Sequence, residues 1–374
     1  MESENLIIEI EEREADDLYP RLISLEVEHD TELAAMFRMR FSLLLNGQDG
    51  SWGILDDERL KIWKQVTIRL TGFGDGEEEL ICGFITHVMP LFDGDPSSCA
   101  LEIWGMDKSV LMDREEKLKD WPNKKDSDIA GEILGSYGFI PDVEDTEVIH
   151  DEALSTVIQR ETDMQFLKRL ALRNGFECYV EGETACFKKP GLDEPPQPLL
   201  SVHFGSETMI NRFSLNVNGL TQADVAMYQL DRMSKEVLET EISESGQTLL
   251  GAEDAQSHLG SSMNPGRLTV SRNAATGTPE MQTLCREFFH QGEWFVHGEG
   301  EIQANQYGHV LKARKTVTIR GIGETYSGVY YVSHVTHVFT EDGYRQMFKV
   351  KRNALMPDGS EDFSGSPGLL GGLV

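Results

Sequence analysis

Two histidines late in the chain, His334 and His337, have a residue type that could bind a metal ion. On an extended strand, however, an offset of three residues places the two side chains on opposite faces. We therefore expect packed or solvated histidines at these positions. The sequence predicts neither a metal nor a cofactor.

The glycines of GFGDG (Gly72, Gly74 and Gly76) could approach a phosphate group. They lie between two predicted strands and lack both the G-x-G-x-x-G order and the following helix of a dinucleotide site. A hairpin tip is the better interpretation. The carboxylates of DGDPSS, which begins at Asp93, lack the further ligands and the distal glutamate of a calcium loop.

Catalytic patterns are weak throughout the sequence. With 64 Asp and Glu residues, carboxylate pairs for glycoside hydrolysis must occur, but no pair stands out. The GSS and GSY stretches lack the G-x-S-x-G elbow, and no cysteine has a recognised nucleophile context. We therefore predict that the protein is not an enzyme, although a hydrolase stays open as an alternative.

The formal net charge of -30 gives the protein a field that repels phosphate backbones. We therefore do not expect specific nucleic-acid binding. The acidity also favours solubility. The opening residues MESENLIIEIEEREADD resemble neither a secretory signal nor a transit peptide, and no apolar stretch is long enough to span a membrane. Five scattered cysteines are typical of free thiols in a reducing cytoplasm, where we expect the protein to assemble.

Alternation of apolar and polar residues with a period of two dominates the first 110 residues and predicts β-hairpins. One hairpin runs from Arg21 to Leu45. A second runs from Val66 through the glycine-rich tip to Val88, and ALEIWG forms a further strand. The length of 374 residues favours two or three domains.

Helical patterns follow this β region. Ser127 or Asp128 is expected to cap a first helix, and Thr162 with Gln165 forms a capping box for a second helix that ends at Gly175. The two helices have apolar residues at helical spacing. They predict an α+β insert between two β regions.

The second half of the sequence returns to β structure. A hairpin is expected within residues 176–190, a proline-rich linker at 191–198, and strands at INRFSLNV and ADVAMYQL. Thr278 is the expected cap of a third helix, with Pro279 at its first position. Strands are predicted from there to about residue 350.

The sequence repeats several short motifs, or words, in the same order. VTIR begins at Val66 and at Val317, and THV follows at Thr86 and Thr336, after 20 and 19 positions. S-L-x-V precedes both, 42 positions before the first VTIR and 103 before the second, so the second copy carries 61 extra residues. The repeat residues are Ser24, Leu25, Val27, Val66, Ile68, Thr86, His87 and Val88 in the first copy and Ser214, Leu215, Val217, Val317, Ile319, Thr336, His337 and Val338 in the second.

The repeat predicts an α+β, mainly β chain with two duplicated antiparallel tube-like β-barrels, although two unrelated similar hairpins remain an alternative. The predicted first barrel covers residues 1–112 and the α+β insert covers 113–200. The second barrel covers 201–232 and 295–356, interrupted by a partly helical insert at 233–294. Residues 357–374 are expected to form a flexible tail.

Several longer stretches resemble the baseplate hub family of contractile injection systems, which includes phage late control D proteins, tail hubs and the N-terminal hub part of VgrG proteins. The stretches are ELICGFITHV, LEIWGMDKSVLMD, SDIAGEILGSYGF, RETDMQFLKRLALRNGFECYVEG and GVYYVSHVTHVFTEDGYRQMFKVKR, which run in family order from about residue 20 to residue 353. Within them, the resemblance marks as structural Gly83, Gly105, Asp107, Asp163, Phe166, Leu167, Gly175, Gly328 and Gly343.

The resemblance implies a homotrimer in which each chain gives two tube-like units, so that a pseudo-hexameric ring surrounds a channel. It implies as partners an inner tube or tube-initiator protein, a separately encoded spike protein and other baseplate components. We also expect part of the negative charge to line the channel, so that an acidic cargo slides through without binding.

The predicted function is therefore a structural baseplate hub that adapts a six-fold tube to a three-fold spike in a phage tail or injection particle. Two other function classes stay open. A baseplate-associated cell-wall hydrolase would need paired carboxylates in a cleft, and a monomeric carbohydrate-binding β protein would need exposed aromatic residues along a groove.

Overall fold

The computed structural model describes residues 6–364 except 75, 154–155, 221, 232–233, 245, 260–265, 272–274 and 276. Strands make up 45% and helices 21%, so the fold is mainly β, as predicted. A sheet of 13 strands runs through both β regions and covers two separate hydrophobic cores. Most of the predicted tail, residues 365–374, lies outside the described part of the chain.

The first half of the sheet has the strand order β3-β4-β7-β6-β5-β1-β2. Its strands form because apolar residues alternate with polar ones, and in β4 every second side chain is buried. The predicted hairpins β3–β4 and β5–β6 are both present. The strands are β1 (Leu6–Ile10), β2 (Arg13–Glu14), β3 (Leu22–Asp30), β4 (Met36–Ser42), β5 (Gln65–Phe73), β6 (Gly76–Leu91) and β7 (Ala100–Asp107).

The first insert packs two helices and two small sheets around a core of its own. Thr162 caps the second helix, since its Oγ1 accepts the Gln165 N–H at 3.3 Å, and Gly175 ends it with a φ of 69°. The first helix begins earlier than predicted, because Asp128 accepts the backbone N–H of the capping residue Lys125 at 3.2 Å. The elements are β8 (Lys119–Trp121), α1 (Asp126–Ser136), β9 (Ile140–Val143), β10 (Val157–Gln159), α2 (Asp163–Asn174), β11 (Glu177–Glu181) and β12 (Thr184–Lys188).

Two predicted boundaries of the second half are wrong. The strand at residues 197–201 pairs with a strand of the second half, so it does not belong to the insert predicted at 113–200. The strand of ADVAMYQL pairs within a separate three-stranded sheet, so the second insert starts directly after residue 217 rather than at 233. The elements are β13 (Gln197–Ser201), β14 (Ile210–Val217), β15 (Gln222–Leu230), β16 (Val237–Ile242), β17 (Glu253–Asp254), α3 (Ala255–Leu259), β18 (Gly266–Val270) and α4 (Thr278–Glu293).

The second insert therefore contains both a sheet and a helix. Its sheet β16-β15-β18 packs against α4 through Val225, Met227, Met281 and Phe289. The α4 helix is capped by Gly277 instead of the predicted Thr278, which occupies the first helical position.

The second half of the main sheet follows the order β14-β19-β22-β21, with β20 and β13 continuing from one part of β21. Another part of β21 pairs with β3 and joins the two halves. The predicted separate barrels are thus one continuous sheet, and among the described strands neither half closes its own hydrogen-bonded path. The remaining elements are β19 (Val296–Gln303), α5 (Ala304–Tyr307), β20 (Thr316–Arg320), β21 (Gly328–Thr340), β22 (Gly343–Arg352) and β23 (Ala354–Leu355).

Candidate functional site

The two halves meet where residues 334–339 of β21 pair antiparallel with residues 25–30 of β3, a contact that we call the internal junction. Phe339 comes from β21 yet lies in the first core together with Leu25 and Val27. Its ring stacks on Tyr344, with 4.3 Å between the ring centroids. Backbone pairing and a shared core therefore both hold the halves together.

The two histidines of the opening prediction lie at the internal junction, on opposite faces of β21. His334 Nδ1 lies 3.0 Å from Asp30 Oδ2, and its Nε2 lies 3.0 Å from Thr336 Oγ1. His337 is buried, and its Nδ1 lies 2.8 Å from the hydroxyl oxygen of Tyr344. Each ring is thus paired with a neighbouring side chain. Within the described residues, no group of three or more His, Cys, Asp and Glu side chains is placed to bind a metal ion.

Burial controls the ionisation of this junction. It lowers the pKa of His29 to about 3, with help from the nearby charge of Arg314. Burial also holds the pKa of His337 well below its usual value, and the adjacent His29 adds to the effect. Both rings are therefore neutral at pH 7, and the junction stores no positive charge on them.

A cavity of about 310 Å³ lies beside the internal junction, where the first insert meets both halves. His29, Asp107, Arg314 and His337 line it. The Arg314 guanidinium donates to the backbone oxygen of Asp30 and lies 4.1 Å from the ring centroid of Tyr179. These contacts bind the first insert to the junction, so the polar lining has a structural use.

The residues of the repeated words lie on corresponding strands. S-L-x-V lies on β3 and β14, VTIR on β5 and β20, and THV on β6 and β21. Val66 pairs with Gly83, and Val317 pairs with Tyr330, so both VTIR strands form an antiparallel hairpin with the next strand. The order of the strands in the sheet, β3-β4-β7-β6-β5 in the first half, has a counterpart in β14-β19-β22-β21-β20 in the second half.

Irregularities in the ladders give a register that the words alone do not. The β3 and β14 ladders shift after Leu22 and Ile210, while the β6 and β21 ladders shift after Ile85 and Val332. One row of the first half joins Ile85, Gly105, Phe37 and Val27, and one row of the second joins Val332, Val350, Gly298 and Leu215.

By these rows, Thr86-His87-Val88 stands where Ser333-His334-Val335 stands, three residues before the second THV. Val27 likewise stands where Leu215 stands, although the S-L-x-V match aligns it with Val217. The VTIR match agrees with the rows, since Gly83 and Tyr330 precede the two shifts by the same distance.

Two glycines of the resemblance allow strands to approach closely. A Cβ on Gly83 would lie 2.0 Å from the backbone oxygen of Met106, and one on Gly105 would lie 2.1 Å from Cζ of Phe37. No larger residue fits either position without moving its neighbours. Gly328 begins β21, and Gly343 begins β22 at the hairpin turn.

The acidic residues of the resemblance are buried and organise chain turns. Asp107 Oδ2 accepts the Ala35 N–H at 2.6 Å, and burial raises its pKa. Asp163 accepts from Gln159 and from the Tyr137 hydroxyl, both at 2.7 Å, and also from Lys117. Burial would raise the pKa of Asp163, but these hydrogen bonds outweigh it and lower the pKa. Phe166 and Leu167 fill the core of the first insert, and Gly175 ends α2.

Sequence reasoning missed Arg352, whose fully buried guanidinium donates to backbone oxygens of three loops. The acceptors are Leu250 at 2.8 Å, Met356 at 3.1 Å, Tyr326 at 3.2 Å and Ser327 at 3.3 Å. The signal was available, because Gln346, Phe348, Val350 and Arg352 alternate along one buried face of β22.

Among the unpaired strand edges of the main sheet are the two that correspond to the strands of the internal junction, one on β14 and one on the end of β6. The β14 strand pairs through one edge with β19, and the end of β6 after Ile85 pairs only with β7. The exposed fraction of Val217 on β14 is 42%, whereas that of Val27 on the covered β3 is 0%. These edges are candidate sites for contact with another chain, since unpaired backbone groups favour strand addition.

The fold is similar to those of tail proteins. It matches the 43 kDa tail protein of prophage MuSo2 from Shewanella oneidensis with a TM-score of 0.69 and 11% identity, covering 94% of this chain and 99% of that one. It matches the tail protein from Neisseria meningitidis MC58 with a TM-score of 0.66 and 13% identity, covering 93% and 96% of the two chains.

A third match is the E. coli c3393 protein, a component of the type VI secretion system. The TM-score is 0.55 at 12% identity, covering 94% of this chain and 79% of that one. The resemblance to tail and baseplate hub-type proteins is thereby confirmed for the fold.

A comparison with curated proteins found no match. Within the described residues, no helix combines the length and apolar composition needed to cross a bilayer. The sequence model of the Alg8 N-terminal domain family matches residues 14–341, most of the chain. The chain therefore belongs to the Alg8 N-terminal domain family.

Proposed function

We propose that this protein is the structural hub of a phage tail or contractile injection particle. In this proposal three copies form a ring around a channel, with an inner tube protein on one side and a separately encoded spike on the other. The observation that carries the proposal is the repeated strand order of the two halves, together with the unpaired edge that each half keeps.

The matching shifts after Leu22 and Ile210, and after Ile85 and Val332, support a duplication of one ancestral unit. Unrelated hairpins would share a strand order more easily than they would share irregularities at corresponding places. In the proposal each half is one unit of the ring, so a trimer presents six similar units to a six-fold tube and keeps a three-fold axis for the spike.

The outer face of β3, β4, β7, β14, β19 and β22 does not support an acidic channel. If this face lines the channel, its charges balance, because basic and acidic side chains occur on these six strands in equal number. Arg38 and Arg40 each lie 3.2 Å from Glu102 across neighbouring strands. The acidic residues are Glu26, Glu28, Asp30, Glu102, Glu299 and Glu301, and the basic ones are Arg38, Arg40, Arg212, Arg345, Lys349 and Lys351.

The proposed role is non-enzymatic. The polar clusters described above are engaged in packing: His334 with Asp30, Arg314 with the Asp30 backbone, and Asp107 with Ala35. The similar structures are tail and secretion-system proteins, which supports a structural role rather than hydrolysis of cell wall.

The proposal is tested by measuring the mass of the purified chain with light scattering and by imaging the particles. We expect a mass of three chains and a ring with a central hole, either for the chain alone or after addition of its tube and spike partners. A chain that stays a monomer with both partners would contradict the hub. Clearing of peptidoglycan by the purified chain would instead favour the hydrolase.

A further inference from the structure

The residue pairing at the internal junction supplies a register in which the unpaired edges of β6 and β14 can pair with each other. Paired side chains there form two rows, one facing the cores and one facing outward, as in any antiparallel ladder. The core-facing pairs are Val335 opposite His29, His337 opposite Val27 and Phe339 opposite Leu25. The outer pairs are His334 opposite Asp30, Thr336 opposite Glu28 and Val338 opposite Glu26.

The ladder shifts transfer this register to the unpaired edges. The shift after Val332 on β21 corresponds to the shift after Ile85 on β6, 247 positions earlier. The shift after Leu22 on β3 corresponds to the shift after Ile210 on β14, 188 positions later. Each residue of the internal junction therefore has a defined counterpart on an unpaired edge.

Applied to the pairs of the internal junction, these offsets give a complete set of pairs between β6 and β14. The core-facing pairs are Val88 opposite Val217, Pro90 opposite Leu215, and Phe92, just beyond β6, opposite Phe213. The outer pairs are His87 opposite Asn218, Met89 opposite Asn216 and Leu91 opposite Ser214.

The chemistry of these residues fits the transferred register. Every core-facing position on both edges is apolar, although neither edge is covered in the single chain. The exposed fractions are 58% for Phe92 and 42% for Val217, whereas Leu25 and Val27 at the internal junction are 0% exposed. Burial of apolar surface therefore favours the same pairing that the backbone edges allow.

We infer that β6 of one copy pairs antiparallel with β14 of the next copy, with Val88 opposite Val217. This interface rests on the proposed ring and identifies the residues that close it. The contact joins two different edges, so it is head-to-tail, and such contacts close into a ring when the rotation between copies permits.

The repeated words alone would give a different register. If Thr86 corresponded to Thr336 and Ser24 to Ser214, His87 would lie opposite Val217 and Val88 opposite Asn216. That one-residue slip would turn the core-facing row of β14 away from the core-facing row of β6. The two registers are therefore distinguishable by crosslinking.

The test uses two double variants of the full chain, Val88→Cys with Val217→Cys and His87→Cys with Val217→Cys. Directly opposed residues of an antiparallel pair have the separation that a disulfide requires. After mild oxidation we expect covalent dimers and trimers on a non-reducing gel for the first variant only. The single variants are controls for the five native cysteines, all of which are buried.

Crosslinking of the His87 variant instead, or of neither variant in a chain that forms rings by imaging, would overturn the inferred interface but leave the hub proposal intact. A chain that never assembles would overturn both. A second measurement uses Val217→Asp, which places a charge in the apolar row and should convert rings to folded monomers. The matched control Val237→Asp alters a residue that is 69% exposed on β16 and should leave the ring unchanged.

Discussion

Acidification should destabilise the fold through the neutral histidines of the internal junction. His337 is 1% exposed, and its pKa is well below the usual value of about 6.5 because of burial. The unfolded chain therefore binds a proton below about pH 6.5 that the folded chain does not. The contribution of the neutral His337 ring to the free energy of unfolding is fully present above that pH, and it falls by about 1.4 kcal/mol for each pH unit below it.

At pH 5 this linkage amounts to about 2 kcal/mol for His337. His29 contributes a similar loss that continues until its folded pKa of about 3 is reached. We expect the variant His337→Gln, which keeps a polar group near Tyr344, to lose about 2 kcal/mol less than the wild type between pH 7.5 and pH 5.

The measurement is urea unfolding at both pH values and at one protein concentration, so that any association is held constant. His297→Gln is the matched control, since it makes the same change at an exposed position on β19. An equal loss of stability in the wild type and in His337→Gln would refute the argument that the buried ring stays neutral.

Three further changes test other parts of the fold. Gly105→Ala should lower the free energy of unfolding by roughly 1–3 kcal/mol, because the new Cβ would collide with Phe37. Gly131→Ala should instead raise it by about 0.5–1 kcal/mol, because this helical position on α1 has open space around it. Thermal melts in which both variants match the wild type would contradict this. Arg352→Met should cost about 3 kcal/mol and speed amide exchange in residues 248–252, and unchanged exchange would show that the guanidinium does not hold that loop. Burial opposes ionisation of Asp126, but its hydrogen bonding with His150 and Arg173 lowers its pKa to about 2. The wild type should therefore lose about 2 kcal/mol more than Asp126→Asn in acid unfolding between pH 5 and pH 2, and parallel curves for the two proteins would contradict this.

Local patterns predicted local structure well. Alternation predicted β4, which buries every second residue, and the hairpins that contain β3, β5 and β6, while Thr162 with Gly175 predicted both ends of α2. The prediction of the helix start was wrong at α1, where Asp128 accepts the backbone N–H of Lys125 instead of serving as the cap itself. Several acidic and hydroxyl residues lie close together at the start of α1, and the sequence does not show which of them accepts the free backbone N–H groups.

Long-range pairing was beyond the sequence. The apolar alternation of β15 suits any half-buried strand, so it could not show that β16 and β18 are the partners. The internal junction joins residues about 300 positions apart, and the side-chain pattern of β21 carries no mark of β3. The THV match misaligned the halves because the two VTIR hairpins differ in length: Gly83, the partner of Val66, lies 17 positions after it, whereas Tyr330, the partner of Val317, lies 13 positions after it.

Because β3 and β21 belong to one polypeptide, their pairing is insensitive to dilution. The tether gives the internal junction a high effective concentration, whereas contact between copies depends on the amount of protein present. Dilution of the proposed ring should therefore separate copies while each pair of halves stays joined. Half of the junctions around such a ring would form as each chain folds, before any encounter between chains.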